Sequence, residues 1–81
     1  MQHDPVNSTK EWDYYVGVAF HKINEEREFA KFKPYTMGRF LKKLKGLTTE
    51  GLRRLHFECE SKERLGINYG KVFESKVKNG N

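Results

Sequence analysis

Between Trp12 and Ala30 the apolar residues Trp12, Tyr15, Val16, Ala19, Phe20, Ile23 and Ala30 fall on one stripe at helical spacing. Asp13, Gly17, His21, Asn24, Glu25 and Glu28 fall on the opposite side. A period of two competes with this reading over Trp12, Tyr14, Val16, Val18 and Phe20, and valine and tyrosine favour strands. That alternative implies a small α+β fold with an N-terminal strand or hairpin. Helix is preferred, because Asn24-Glu25-Glu26-Arg27 lacks the glycine that turns a strand back. Ser8-Thr9-Lys10-Glu11 fits a capping box ahead of the stripe, and Pro34 closes the segment by pushing its predecessor out of the α region.

A second helix is predicted from Tyr35 or Thr36, with Met37, Phe40, Leu41 and Leu44 at i, i+3, i+4 and i+7. Gly46 stands where a left-handed residue is wanted after a helix, and Leu47 can fold back on Leu41. Thr48 then caps a third helix, with Leu47 able to staple onto Leu52. That helix carries Leu52, Leu55 and Cys59 on a narrow stripe, leaves Phe57 well off it, and stops near Gly66. Asn68 can cap a short fourth helix whose apolar positions are Tyr69, Val72, Phe73 and Val77. The expectation is therefore all-α: a compact bundle of three to four helices over residues 8–78, with a tight αα turn at Gly46–Thr48. A flexible tail at 1–7 and a polar end at 79–81 flank it.

Length sharpens this picture. A chain of 81 residues makes one domain and commits most of its apolar side chains to the core, leaving few for a ligand cavity. Its eleven aromatics contribute large buried areas for an otherwise modest apolar content. Cys59 is the only cysteine, which favours a reducing compartment, and no apolar run reaches the length of a membrane span. The first residues lack the pattern of a signal peptide. The expected location is the cytoplasm, or a host's cytoplasm for a viral protein, with no membrane association.

Charge adds the one functional pointer. Lys31, Lys33, Arg39, Lys42, Lys43, Lys45, Arg53 and Arg54 face Glu50 alone, so residues 31–54 carry a net +7. The rest of the chain holds eight bases and ten acids, a net −2. On the second helix Arg39, Lys42, Lys43 and Lys45 avoid the apolar stripe and have no acid at i±4. Such a field attracts phosphate backbones. The plainer explanation is a solvated face whose charges pair with Glu25, Glu26 and Glu28 of the first helix.

Two helices joined by a short glycine turn also raise a helix-turn-helix arrangement, in which the third helix presents Thr49, Glu50, Arg53, Arg54 and His56 to a major groove. The pattern fails at Lys42, where a small residue is needed, and at Lys45, where an apolar one is expected. An ordinary αα-hairpin satisfies the same leucines. Phe29, Phe32, Tyr35 and Phe40 interleave with Lys31, Lys33 and Arg39 in a pattern suited to stacking bases between phosphate contacts. In so small a domain such rings usually build the core, and Phe29, off the stripe, is the candidate for an exposed platform.

Catalytic chemistry is thinly supported. His56, Cys59 and Glu63 share a helical face without a second ligand pair, and His21 with Glu25 lacks a nucleophile. No catalytic residue, metal site, cofactor or small-molecule substrate is assigned. The residues point to a small non-enzymatic binding protein, monomeric or a small homo-oligomer. Its basic middle (Lys31, Lys33, Arg39, Lys42, Lys43, Lys45, Arg53, Arg54 and His56) is expected to dock onto nucleic acid, DNA before RNA, or onto a nucleoprotein complex. This suits an accessory factor in replication or transcription. The competing expectation is a protein-interaction module or inhibitor, phage- or plasmid-encoded, that binds an acidic surface of a partner protein.

Overall fold

The computed structural model describes residues 5–78 and contains four helices: α1 (Pro5–Phe29), α2 (Met37–Lys43), α3 (Thr49–Arg64) and α4 (Tyr69–Lys78). No strand occurs among the described residues, so the period-two pattern in Trp12–Phe20 is incidental to a helix. Residues 1–4 and 79–81 of the expected tail and polar end lie outside the described residues. Helix α1 covers Pro5–Phe29, so Ser8 lies within the helix instead of capping it.

Helix α1 also ends earlier than Pro34 requires. The Phe32 N–H donates to the Arg27 carbonyl at 2.7 Å and the Lys31 N–H to the Glu28 carbonyl at 3.0 Å. This pair of bonds is a Schellman closure, with Lys31 in the left-handed region at φ 69°. Ala30, placed on the apolar stripe by spacing, is therefore past the helix end and exposed.

The following connection is tied down by two side chains of α1. Asn24 accepts from the Tyr35 N–H at 2.8 Å and donates to the Tyr35 carbonyl at 3.0 Å. Arg27 donates from Nε to the Lys33 carbonyl at 2.7 Å. Thr36 then caps α2, its hydroxyl accepting from the Arg39 N–H at 3.3 Å.

The turn between α2 and α3 forms as its local signals require. Gly46 has φ 92°, and Thr48 accepts from the Gly51 N–H at 3.0 Å. Leu47 lies over the first turn of α3 and packs against the core. Gly66 closes α3 in the same left-handed manner, with the Ile67 N–H donating to Lys62 at 3.1 Å and the Gly66 N–H to Glu63 at 3.0 Å.

The core gathers Val16, Ala19 and Ile23 of α1, Leu52, Leu55 and Cys59 of α3, and Tyr69 and Phe73 of α4; α2 adds Phe40, and Leu44 beyond its end. Helix α3 packs on both α1 and α4, while α1 also meets α4 and α2. Aromatic rings run through this core. Phe40 stacks on Phe73 at 5.7 Å between centroids, and Phe73 on Tyr69 at 6.0 Å. Tyr69 lies 5.8 Å from the His56 ring, which neighbours Tyr15 at 5.4 Å. Each such pair adds about 0.5–1.5 kcal/mol beyond the area it buries, which helps a domain with little core to draw on.

Helix α2 buries less than its spacing predicts. Phe40 and Leu44 are enclosed, whereas Met37 is 40% and Leu41 42% exposed. A helix of seven residues, resting on α1 and touching α4 through Phe40 and Lys43, leaves the other half of its stripe uncovered.

Candidate functional site

The basic residues of 31–54 separate into two groups once the helices are packed. On α2, Arg39 and Lys42 lie off the buried Phe40 and Leu44 positions, and Lys45 follows just past the helix. All three are exposed, and among the described residues none of them forms an ion pair. Lys31 and Lys33, also exposed and unpaired among those residues, flank Phe32 in the turn after α1.

The remaining candidates are engaged within the fold. Lys43 lies 3.3 Å from the Glu74 carboxylate and 5.0 Å over the Tyr35 ring. Burial works against its charge, but the Glu74 carboxylate outweighs that and holds the ammonium above the ordinary lysine value. Tyr35 donates its hydroxyl to the other Glu74 oxygen at 2.6 Å, completing a three-residue cluster. Arg54 donates to Glu50 at 3.0 Å and Arg53 to the same carboxylate at 3.1 Å. The hydrogen bonds from Arg54 and then Arg53 hold the Glu50 carboxyl below the usual range.

His56 belongs to the core and not to a docking face. It is 4% exposed, with Nδ1 2.8 Å from the Tyr69 hydroxyl, and burial lowers its pKa so that the ring is neutral near pH 7. The signal was present in the spacing: His56 lies four residues after Leu52 and three before Cys59, on the same buried stripe. Placement of His56 as a contact residue is thereby corrected. With His56 inside and both arginines on Glu50, α3 does not present the set of side chains that a groove-reading helix needs.

Among the described residues no acid of α1 forms an ion pair with the basic segment. Among the described residues Glu25 faces His21 at 3.7 Å, and Glu26 is taken up by backbone amides of α4. Neutralisation comes instead from Glu50 and Glu74, which leaves α2's outer cations available.

The other constellations are likewise accounted for by packing. Cys59 is fully buried, and burial pushes its thiol up to about 12. Glu63, on the same helical face, binds Lys22 at 2.9 Å. Among the described residues no three His, Cys, Asp or Glu side chains converge as a metal site, and no helix is long and apolar enough to cross a membrane.

Beside the free cations the structure shows a feature that spacing assigned to the core. Trp12, Leu41 and Leu47 line an open depression of about 430 Å3, with Lys42 and Lys45 at its edge. Periodicity marked Leu41 as buried, so an apolar surface next to the lysines was not visible before packing. Two further rings stand outward: Phe29 is 91% exposed, as its position off the stripe predicts, and Phe32 is 62% exposed. Phe57, likewise off its stripe, is half-exposed with one side against Tyr15 at 6.1 Å. No protein family, curated protein or solved structure matches this chain.

Proposed function

We propose that this chain is a small non-enzymatic binding protein that docks through the outer face of α2 onto nucleic acid, DNA before RNA, or onto a nucleoprotein complex. The observation that carries this reading is the uncompensated row of Arg39, Lys42 and Lys45, on a scaffold where Lys43, Arg53 and Arg54 have found carboxylates. Exposed cations already bound to acids gain little from a phosphate. Cations without such partners release the counterions of a polyanion, and that release supplies most of the affinity. The role that suits such a module is an accessory factor in replication or transcription.

The test is a salt titration on duplex DNA, single-stranded DNA and RNA. Log affinity should fall linearly with log salt, and replacing Arg39, Lys42 and Lys45 by glutamine should lower the slope by about one unit per lost phosphate contact. No association with any of the three nucleic acids at low salt would overturn the reading.

A protein partner is the second reading, favoured by the depression of Trp12, Leu41 and Leu47 beside Lys42 and Lys45. An acidic segment with an apolar anchor fits that chemistry, and an inhibitor or interaction module would use it. Binding of that kind depends less on salt and more on the anchor, so Leu41→Ser would weaken it more than Arg39→Gln.

A further inference from the structure

We propose that the turn at 29–33 is a base-stacking platform, so that the preferred ligand is single-stranded nucleic acid, with bases on Phe29 and Phe32 and phosphates on Lys31 and Lys33. This rests on the nucleic-acid reading above and narrows it to one class of ligand.

Four observations support it. Phe29 presents nearly all of its surface to solvent, and Phe32 most of its own. Lys31 and Lys33 alternate with them, exposed and without a carboxylate among the described residues. The turn is also held in shape before any ligand arrives. Arg27 lies 5.6 Å from the Phe32 ring centroid and 4.1 Å from that of Tyr35, while its Nε holds the Lys33 carbonyl. Asn24 clamps both backbone groups of Tyr35, and Glu74 takes the Tyr35 hydroxyl. Finally, Lys31 in the left-handed region at φ 69°, with the Schellman bonds to Glu28 and Arg27 on either side of it, fixes the backbone between the two rings.

Aromatic rings stack on any base because every base has a π-face, and cations beside the rings meet the intervening phosphates. In a duplex the base faces are covered by their neighbours, so rings of this kind gain nothing from it. A platform ordered in advance avoids the entropy of arranging a loop on binding. A membrane surface would also accept exposed phenyls beside lysines, but insertion needs only apolar bulk, whereas stacking needs the ring. That difference separates the two.

The experiment compares a labelled oligothymidylate, a duplex of equal length and inorganic polyphosphate as a charge-only probe, using the full chain. The single strand should bind more tightly than either of the others. Phe29→Ala and Phe32→Ala should each weaken it by about tenfold, with polyphosphate binding unchanged. Phe29→Leu should fail like alanine, and Phe29→Trp should restore affinity with indole fluorescence quenched by the bases. Equal binding of strand and duplex with silent ring variants would overturn the platform while leaving the α2 docking face standing. Absence of all nucleic-acid binding would remove both. Binding of anionic phosphatidylserine vesicles that Phe29→Leu retains, with oligothymidylate binding indifferent to Phe29, would assign the turn to a membrane surface and overturn the proposal.

Discussion

The Glu26 carboxylate of α1 caps the first turn of α4 at Gly70: its Oε1 accepts from the Gly70 N–H at 2.9 Å, and its Oε2 from the Tyr69 N–H at 2.9 Å. A helix N-terminus carries free amides and a partial positive charge, and one carboxylate here satisfies two of those amides. Gly70 permits the approach, since a Cβ there would lie 2.9 Å from Glu26 Oε1 and 3.5 Å from Ile23 Cγ1. A carboxylate could normally move aside, but this one is pinned by the bonds it would have to break. Glu26→Ala should cost about 2 kcal/mol and Gly70→Ala about 1 kcal/mol in urea unfolding. The two losses should not add, because each removes the same cap. Additive losses in the double mutant would show that Gly70→Ala does not act through the cap.

The left-handed positions make opposite predictions. Gly46 and Gly66 both have φ 92° with open space around the missing Cβ, so alanine at either meets only backbone strain. Each substitution should destabilise by about 1 kcal/mol or more. Lys31 is a non-glycine residue at φ 69°, and Lys31→Gly should stabilise by up to about 1 kcal/mol despite the greater freedom of the unfolded chain. Denaturation midpoints of the three variants test the pair of signs together.

Stability should decline on both sides of neutral pH, for different groups. Burial lowers the folded pKa of His56, so the unfolded state takes up its proton more readily. Its contribution is complete above the unfolded value near 6.5 and is lost as pH falls through the lower folded value. Burial raises Cys59 to about 12 and raises Tyr69 as well, so their contribution is complete below the unfolded values of 9.0 and 10.0 and fades as pH climbs beyond them. His56→Gln cannot titrate and should flatten the acid limb, whereas Cys59→Ala should soften the alkaline one. Cys59 should also react slowly with thiol reagents in the native state and fast once unfolded.

On the proposed nucleic-acid reading, Glu50 would compete with a polyanion for Arg53 and Arg54. Its carboxylate engages Arg53 and Arg54 at once on the exposed side of α3. Glu50→Gln should therefore raise affinity for a polyanion and steepen its salt dependence, with little change in stability because the pairs are exposed. Arg53→Gln and Arg54→Gln should weaken binding less than Lys42→Gln or Lys45→Gln. A larger loss at the arginines would place the interface on α3 instead of α2.

Features that depend on neighbours within about four residues were legible in the chain. Thr48 caps α3, Gly46 turns the chain with positive φ, α3 stops near Gly66, and Cys59 is buried, because capping and period are local interactions. Phe29 and Phe57 stand off their stripes and are exposed for the same reason. Packing decided the rest. Spacing marks which side of a helix is apolar, but not whether a neighbour is long enough to cover it, and so Met37 and Leu41 remain half-open on a short α2. Charge partners are chosen across space: Glu74 reaches Lys43, and Glu26 reaches the backbone of α4 43 and 44 residues away. The Glu74–Lys43 pair is invisible to any local pattern, whereas Glu50 meets Arg53 and Arg54 three and four residues along the same helix. The sequence alone therefore indicated an all-α bundle of three to four helices and determined the sign of the segment's charge. Only the tertiary structure decided that Lys43 is paired while Arg39, Lys42 and Lys45 have no ion pair among the described residues, because a long-range pair forms only where folding brings opposite charges together.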